Sequence, residues 1–195
     1  MLTRLKVLIV DYDKLRSKPL KKSLVDSGFD VVAHVENDID LQAKCLALKP
    51  DVVIIDTDSP NRDTLENICV MSMHEPRPIV MFTHDGNKEQ IKLATQAGVS
   101  AYVVGTIPSE RLVPVIDAAI ARFEEFKNLR NELLQAKTKL DERKVIERAK
   151  GLLMKQRGLD EDAAYEMLRS MAMKKNMKLA ELSNQLLQAA SMLIL

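Results

Sequence analysis

Five short apolar runs recur along the first part of the chain: Val7–Val10, Val31–Val32, Val52–Ile55, Ile79–Phe82 and Ala101–Val104. Helical stretches near residues 14–27, 38–48, 63–73 and 87–97 separate them. This alternation constrains the fold more than any other feature. The runs are apolar throughout, as expected of strands covered on both faces. Strands alternating with helices predict an α/β fold with a five-stranded parallel sheet, and right-handed crossovers make it doubly wound. Gly28 and Gly98 stand where helices should end, and Pro50 and Pro78 stand just before strands. In such a sheet a functional site belongs at the carboxyl ends of the strands.

After Pro108 the strand signal stops. Val113, Ile116, Ile120 and Phe123 share one helical face, expected to pack on the sheet. Phe126, Leu129, Leu133, Ala136 and Leu140 then follow a 3-4-3-4 spacing, a coiled-coil seam of about two heptads. So short a seam needs a second copy, which predicts a homodimer. The remaining residues read as a small all-α domain of three amphipathic helices, with Gly158 ending the first and Asp160 capping the second. The expected divisions are an α/β unit over 1–121, a coiled-coil linker helix over 122–141 and a three-helix domain over 142–195.

Composition removes several classes of function. There are 29 basic and 28 acidic residues, so the chain is not a basic nucleic-acid coat. Aromatic residues are 4% with no Trp, which disfavours an aromatic platform for single strands. The two cysteines, Cys45 and Cys69, lie in apolar segments, and the three histidines are scattered, so a His/Cys metal centre is not expected. No P-loop, nucleophile elbow or zinc-protease motif occurs, so no enzyme is expected. No apolar run approaches a membrane span and the first residues lack a signal peptide's pattern, which points to the cytoplasm. The charge is nonetheless unevenly placed: residues 1–120 hold 14 basic and 17 acidic residues, residues 121–195 hold 15 and 11. Such asymmetry points, weakly, to an acidic partner of the second half.

Two clusters carry chemistry. Asp11 and Asp13 follow the first strand, Asp56 ends the third and Thr83 ends the fourth. Asp11 and Asp56 are expected to converge, and Mg²⁺ would offset their repulsion. A carboxylate beside Mg²⁺ is able to attack a phosphoryl donor, with Thr83 binding a phosphoryl oxygen. These residues resemble the receiver domain of bacterial response regulators. The resemblance implies that Asp56 is the phosphoacceptor, Asp11 an acidic-pocket residue, Thr83 the switch hydroxyl and Tyr102 the switch aromatic. There are two departures. Tyr12 follows Asp11, so Asp13 is displaced by one residue from the second acidic position, and Gly105 stands where the receiver lysine belongs. Phosphorylation of Asp56 is therefore expected to be inefficient.

The second cluster is basic. Lys144, Arg148, Gly151 and Lys155 fall on one helical stripe, with Gly151 inside a strong helix at a cost of about 1 kcal/mol relative to Ala. Either a nucleotide backbone approaches at Gly151 or a neighbouring helix packs there. Ala149-Lys150-Gly151-Leu152-Leu153-Met154, with Gly158, Ala163, Tyr165, Leu168-Arg169, Ala172-Met173 and Lys178-Leu179, resembles the ANTAR domain. That resemblance implies a three-helix RNA-binding module of transcription antitermination regulators, with a two-hairpin leader mRNA as ligand. Lys150, Lys155, Arg169, Lys174 and Lys175 are the leading expected contacts, with Arg148 and Lys178 behind them. Tyr165 is expected to pack in the core rather than stack on a base.

Over the full chain, Asp56–Asp63, Arg77–Thr83 and Ala97–Tyr102 resemble the NasT-type regulators of nitrate and nitrite assimilation. The resemblance implies a NasS-like nitrate sensor as partner protein. The competing readings are an amide-responsive antiterminator, a phosphorylation-controlled DNA-binding regulator, and a phosphatase-like enzyme built on the carboxylates.

Overall fold

A computed structural model describes residues 4–11, 14–36 and 41–192, the side chains of residues 14–17, 36 and 192 excepted. The elements are β1 (Lys6–Asp11), α1 (Lys14–Asp26), β2 (Asp30–Glu36), α2 (Leu41–Leu48), β3 (Val52–Asp56), α3 (Arg62–His74), β4 (Ile79–Thr83), α4 (Lys88–Ala97) and β5 (Ala101–Val104). Three helices follow: α5 (Ser109–Arg157), α6 (Glu161–Lys174) and α7 (Leu179–Met192). The chain divides into two compact units, residues 1–127 and 128–195, with the division falling inside α5.

In the first unit the five strands form one parallel sheet of order β2-β1-β3-β4-β5. The expected architecture is therefore present. Every residue of β3 and β4 is buried, which is why their sequences read as unbroken apolar runs. Alternate strand residues feed two cores. Leu8, Val53, Ile55, Ile79 and Met81 meet Cys45, Ile68, Met71 and Ala94 of α2, α3 and α4. Val7, Ile9, Val52, Ile54, Val80 and Phe82 meet Leu24 of α1 and Leu112, Ile116 and Ala119 of α5. The face of α5 on the sheet is thus Leu112, Ile116 and Ala119, with Val113 and Ile120 at its margins, and Phe123 lies outside it. The sequence expectation fixed the right helix but rotated its face, because Ala119 buries well while contributing little hydrophobic signal.

Local chemistry sets the helix ends. Asn61 caps α3 by accepting from the Thr64 amide at 2.8 Å, and Asn87 caps α4 by accepting from the Glu89 amide at 2.8 Å. Gly98 closes α4 at φ +116°, and a Cβ there would run into the Ser72 hydroxyl, so glycine is required twice over.

In the second unit Ala149, Leu153, Ala164, Leu168, Ala172 and Leu182 form a small core shared by α5, α6 and α7. Asp160 caps α6 as expected, accepting from the Ala163 amide at 2.8 Å. Met167 and Met171 pack at the core's edge, whereas Met154 and Met173 are exposed. The helical spacing of Leu179, Leu182, Leu186 and Ala190 also places Leu193 on the apolar face of the last helix, but Leu193 lies outside the described residues. The 49-residue α5 carries Phe126, Leu129, Leu133 and Leu140 exposed by 68%, 54%, 69% and 59%, and Ala136 is exposed with them. Among the described residues no helix is long and apolar enough to cross a membrane.

Candidate functional site

The order of the sheet reverses between β1 and β3, and the two strand ends pair Asp11 with Asp56 in register. Both are buried, at 2% and 6% exposure. The sequence reading of converging carboxylates is therefore correct in position. Asp13 lies outside the described residues. One neighbour escaped the sequence reading. A register shift at Val7/Leu8 sets His34 of β2 opposite Ile9, and its Nε2 lies 3.3 Å from Oδ2 of Asp11. No sequence pattern announces that shift, so His34 read as one of three scattered histidines.

Thr83 and Tyr102 are brought to the same end of the sheet, and both hydroxyls are committed to backbone. The Thr83 hydroxyl donates to the Asp58 carbonyl at 2.7 Å and accepts from the Asp85 amide at 3.1 Å. The Tyr102 phenol donates to the Asp85 carbonyl at 2.8 Å, and burial raises its pKa. Ser59 donates to the Asp85 carboxylate at 2.8 Å. The Asn87 amide and then the Ser59 hydroxyl hold that carboxyl below its ordinary range. The loops after β3 and β4 are therefore stitched together by Ser59, Tyr102 and Thr83, and of these Thr83 carries the hydroxyl that the sequence reading assigned to a phosphoryl oxygen. Gly105 takes φ +80° and donates its amide to the Thr83 carbonyl at 2.8 Å. A Cβ there would meet nothing within 4 Å, so space rather than crowding surrounds the position expected to hold a lysine. The donor chemistry of Asp11 and Asp56 suits Mg²⁺, but among the described residues no third His, Cys, Asp or Glu completes a metal-holding group.

The second unit buries one of the residues expected to contact RNA. Lys150 is only 7% exposed, and its Nζ lies 2.6 Å from Glu161 and 2.9 Å from Glu147. Two of the three ammonium N–H groups are spent on carboxylates, so Lys150 ties α5 to α6. Its i−3 pairing with Glu147 was open to sequence reading, but Glu161 reaches it only through the turn at Gly158. Each partner moves the other's pKa. The Glu161 hydrogen bond, then that of Glu147, raises the Lys150 ammonium, and the Lys150 hydrogen bond lowers the Glu161 carboxyl.

These directions predict a window. The raised ammonium contributes stability below its unfolded-state pKa, and that contribution is lost as pH rises through the folded value. The lowered carboxyl contributes above its unfolded-state pKa and loses its contribution as pH falls through the depressed value. Glu161→Gln in the full chain should therefore speed amide exchange around Ala149–Leu153 at neutral pH. The difference from wild type should close at both the acid and the alkaline end. An equal difference at every pH would contradict an electrostatic tie.

The other expected contacts stay at the surface. Arg148, Lys155, Lys174, Lys175 and Lys178 are exposed, and Arg169 is 60% exposed beside Glu166 at 3.6 Å, a pair of little energetic weight. A Cβ on Gly151 would meet nothing within 4 Å, so no neighbouring helix requires the glycine. Tyr165 is 40% exposed, contrary to the expected core role. It precedes Arg169 by one helical turn on α6, so an aromatic ring and a guanidinium share an open face.

Both units are similar to known proteins. Residues 7–117 match the response regulator receiver domain and residues 134–187 the ANTAR domain. The transcriptional regulatory protein PdtaR of Mycobacterium tuberculosis is 30% identical over 168 residues, spanning 86% of this chain and 82% of its own. The nitrate regulatory protein of Klebsiella oxytoca is 43% identical over 63 residues, 32% of this chain and 16% of its own. Among solved structures, the receiver domain of a modulated diguanylate cyclase from Desulfovibrio desulfuricans is 22% identical at a TM-score of 0.55. It covers 63% of this chain and 98% of its own, a likeness of fold.

Proposed function

Because the chain belongs to the response regulators that join a receiver domain to an ANTAR domain, we propose that it is a transcription antiterminator binding a two-hairpin leader mRNA. The observation carrying this reading is the open cationic surface of the ANTAR-matching helices: Arg148, Lys155, Arg169, Lys174, Lys175 and Lys178, with the bare backbone of Gly151 between the first two. Cations on a folded RNA release counterions and supply affinity, while bases splayed from hairpin loops supply sequence preference. Tyr165 stacks on such a base, with Arg169 over a neighbouring phosphate or ring. Lys150 positions α6 rather than touching RNA. Binding favours a hairpin arrangement that excludes the terminator, so polymerase continues.

The working divisions are a receiver-like unit over 1–121, a coiled-coil helix over 122–141 and the RNA-binding domain over 142–195. Two chains pair along Phe126, Leu129, Leu133, Ala136 and Leu140, placing two RNA modules on one leader, where effective concentration strengthens the second contact. The target operon serves nitrate or nitrite assimilation, a reading supported by the 43% identical segment of the nitrate regulatory protein. A NasS-like sensor in the cytoplasm withholds the regulator until nitrate or nitrite arrives.

Control by a partner suits the receiver pocket. Asp11 and Asp56 would hold Mg²⁺, which would supply charge neutralisation there. Gly105 brings no cation to a phosphoryl group, and the Thr83 hydroxyl is occupied by the Asp58 carbonyl. A small phosphodonor with Mg²⁺ is therefore predicted to label the protein slowly and far below one equivalent. Rapid stoichiometric labelling, abolished by Asp56→Asn, would contradict this.

The RNA reading is tested by titrating the full chain with a two-hairpin leader and a one-hairpin control across a range of salt. The expected result is preference for two hairpins and steep loss of affinity with salt. Affinity indifferent to salt, or tighter binding of duplex promoter DNA, would overturn it.

A further inference from the structure

Every residue of α5 from 124 to 144 is exposed, about 30 Å of helix at 1.5 Å per residue. The apolar seam of this stretch, Phe126, Leu129, Leu133, Ala136 and Leu140, is bordered by charge. Arg130, Lys137 and Lys144 stand on one flank, Glu125, Glu132 and Lys139 on the other. Within the chain Lys127 pairs with Glu124 and Lys144 with Asp141. Among the described residues no such pair engages Glu125, Arg130, Glu132 or Lys137.

We propose that a second copy of this chain occupies the seam in parallel and in register, with Glu125 against the partner's Arg130 and Glu132 against the partner's Lys137. The direction rests on the pairing of two chains proposed above. Charge and packing both set it. In a parallel coiled coil, a residue of one flank meets the opposite flank of the partner five positions further on. Glu125 then meets Arg130, Glu132 meets Lys137, and two-fold symmetry repeats both attractions. Lys139 meets the partner's Lys144, whose charge is offset by Asp141 of its own chain at 3.7 Å. In an antiparallel coiled coil like flanks meet instead, and the flank of Arg130, Lys137 and Lys144 would oppose its own cations. The apolar layers agree. In parallel register all five seam residues face their own copies. Antiparallel pairing sets the row of Phe126, Leu133 and Leu140 against the row of Leu129 and Ala136. Either central alignment then puts an arginine on an apolar residue, Arg122 on Leu140 or Arg143 on Phe126. Parallel pairing also brings the exposed Arg148 and Lys155 of both copies to the same end of the paired helix. Antiparallel pairing would separate the two Arg148 residues by about 40–50 Å along the axis. The parallel pair thus offers its two cationic surfaces to neighbouring hairpins of a single leader.

The test uses the full chain carrying Cys69→Ser, which leaves buried Cys45 as the remaining native thiol. Adding Leu140→Cys should give a disulfide-linked dimer on mild oxidation. Position 140 meets its own copy in the parallel register, whereas antiparallel alignment holds the two about 15–30 Å apart, beyond the reach of a disulfide. Sedimentation of the same protein under reducing conditions reports the unlinked dimer. A second measurement leaves the seam intact. Lys137→Glu and Glu132→Lys should each weaken dimerisation about tenfold, since each turns two attractions into repulsions at roughly threefold apiece. The two substitutions together should restore the wild-type affinity. A dimer that does not cross-link through Leu140→Cys, or that Lys137→Glu tightens or leaves unchanged, would overturn the parallel register while keeping the seam. A double swap as weak as the single ones would do the same. A wild-type monomer at every concentration would instead remove the seam, and the direction with it.

Discussion

Reversing charge at Arg169, Lys174 and Lys175 together should lower affinity for the leader RNA by about 100-fold or more and flatten its salt dependence. The three side chains are exposed on α6 and just beyond its end, and none is locked into a buried pair. Each cation that neutralises a phosphate contributes about 0.7–0.9 to the slope of log affinity against log salt, so losing three should reduce the slope by about 2–3. The variant must be read beside Lys150→Met. Lys150 is tied between Glu147 and Glu161, so its replacement should loosen the packing of α6 on α5 while leaving the salt slope within one unit of wild type. Titrations at four or more salt concentrations separate the two. A slope that falls equally in both variants would return Lys150 to the RNA surface.

The second large effect belongs to the seam on α5. Phe126→Glu with Leu133→Glu should convert a dimer to a monomer by sedimentation at micromolar concentration. Phe126 and Leu133 are more than two-thirds exposed within a single chain, and large apolar side chains repeated at seam spacing are an unusual solvent surface. The substituted carboxylates would face their own copies across the seam, where like charges repel. Neither residue belongs to the cores of the two units, so the helical signal should stay the same. Affinity for two hairpins should fall about 10²-fold toward that for one, since the gain from linked binding is lost. A wild-type monomer, or a variant that still dimerises, would remove the seam from the account.

Much of the fold was legible because single residues carried strong local rules. The wholly buried β3 and β4 are unbroken apolar runs, and Gly98 and Asp160 sit at helix ends that only a few residue types serve well. The pairing of Asp11 with Asp56 followed from strand order, since both end neighbouring central strands. What escaped depended on tertiary partners. Lys150 looked like its neighbours in a basic stretch until Glu161, beyond the turn at Gly158, reached its ammonium. His34 meets Asp11 because of a register shift, and the two loops claim Thr83 and Tyr102 through backbone carbonyls that any residue type could have supplied. Tyr165 is the opposite case. An aromatic residue in an amphipathic helix is most often core, yet Ala164 and Leu168 fill that face and leave the ring outside.

Transcription through the native operon leader by purified polymerase measures the central claim most directly. Adding the regulator should raise the fraction of full-length transcript. The triple charge reversal at Arg169, Lys174 and Lys175 should abolish the rise, and so should deletion of one leader hairpin. Read-through that is unmoved by the regulator, or that rises equally with the charge-reversed protein or with the shortened leader, would contradict RNA-borne antitermination.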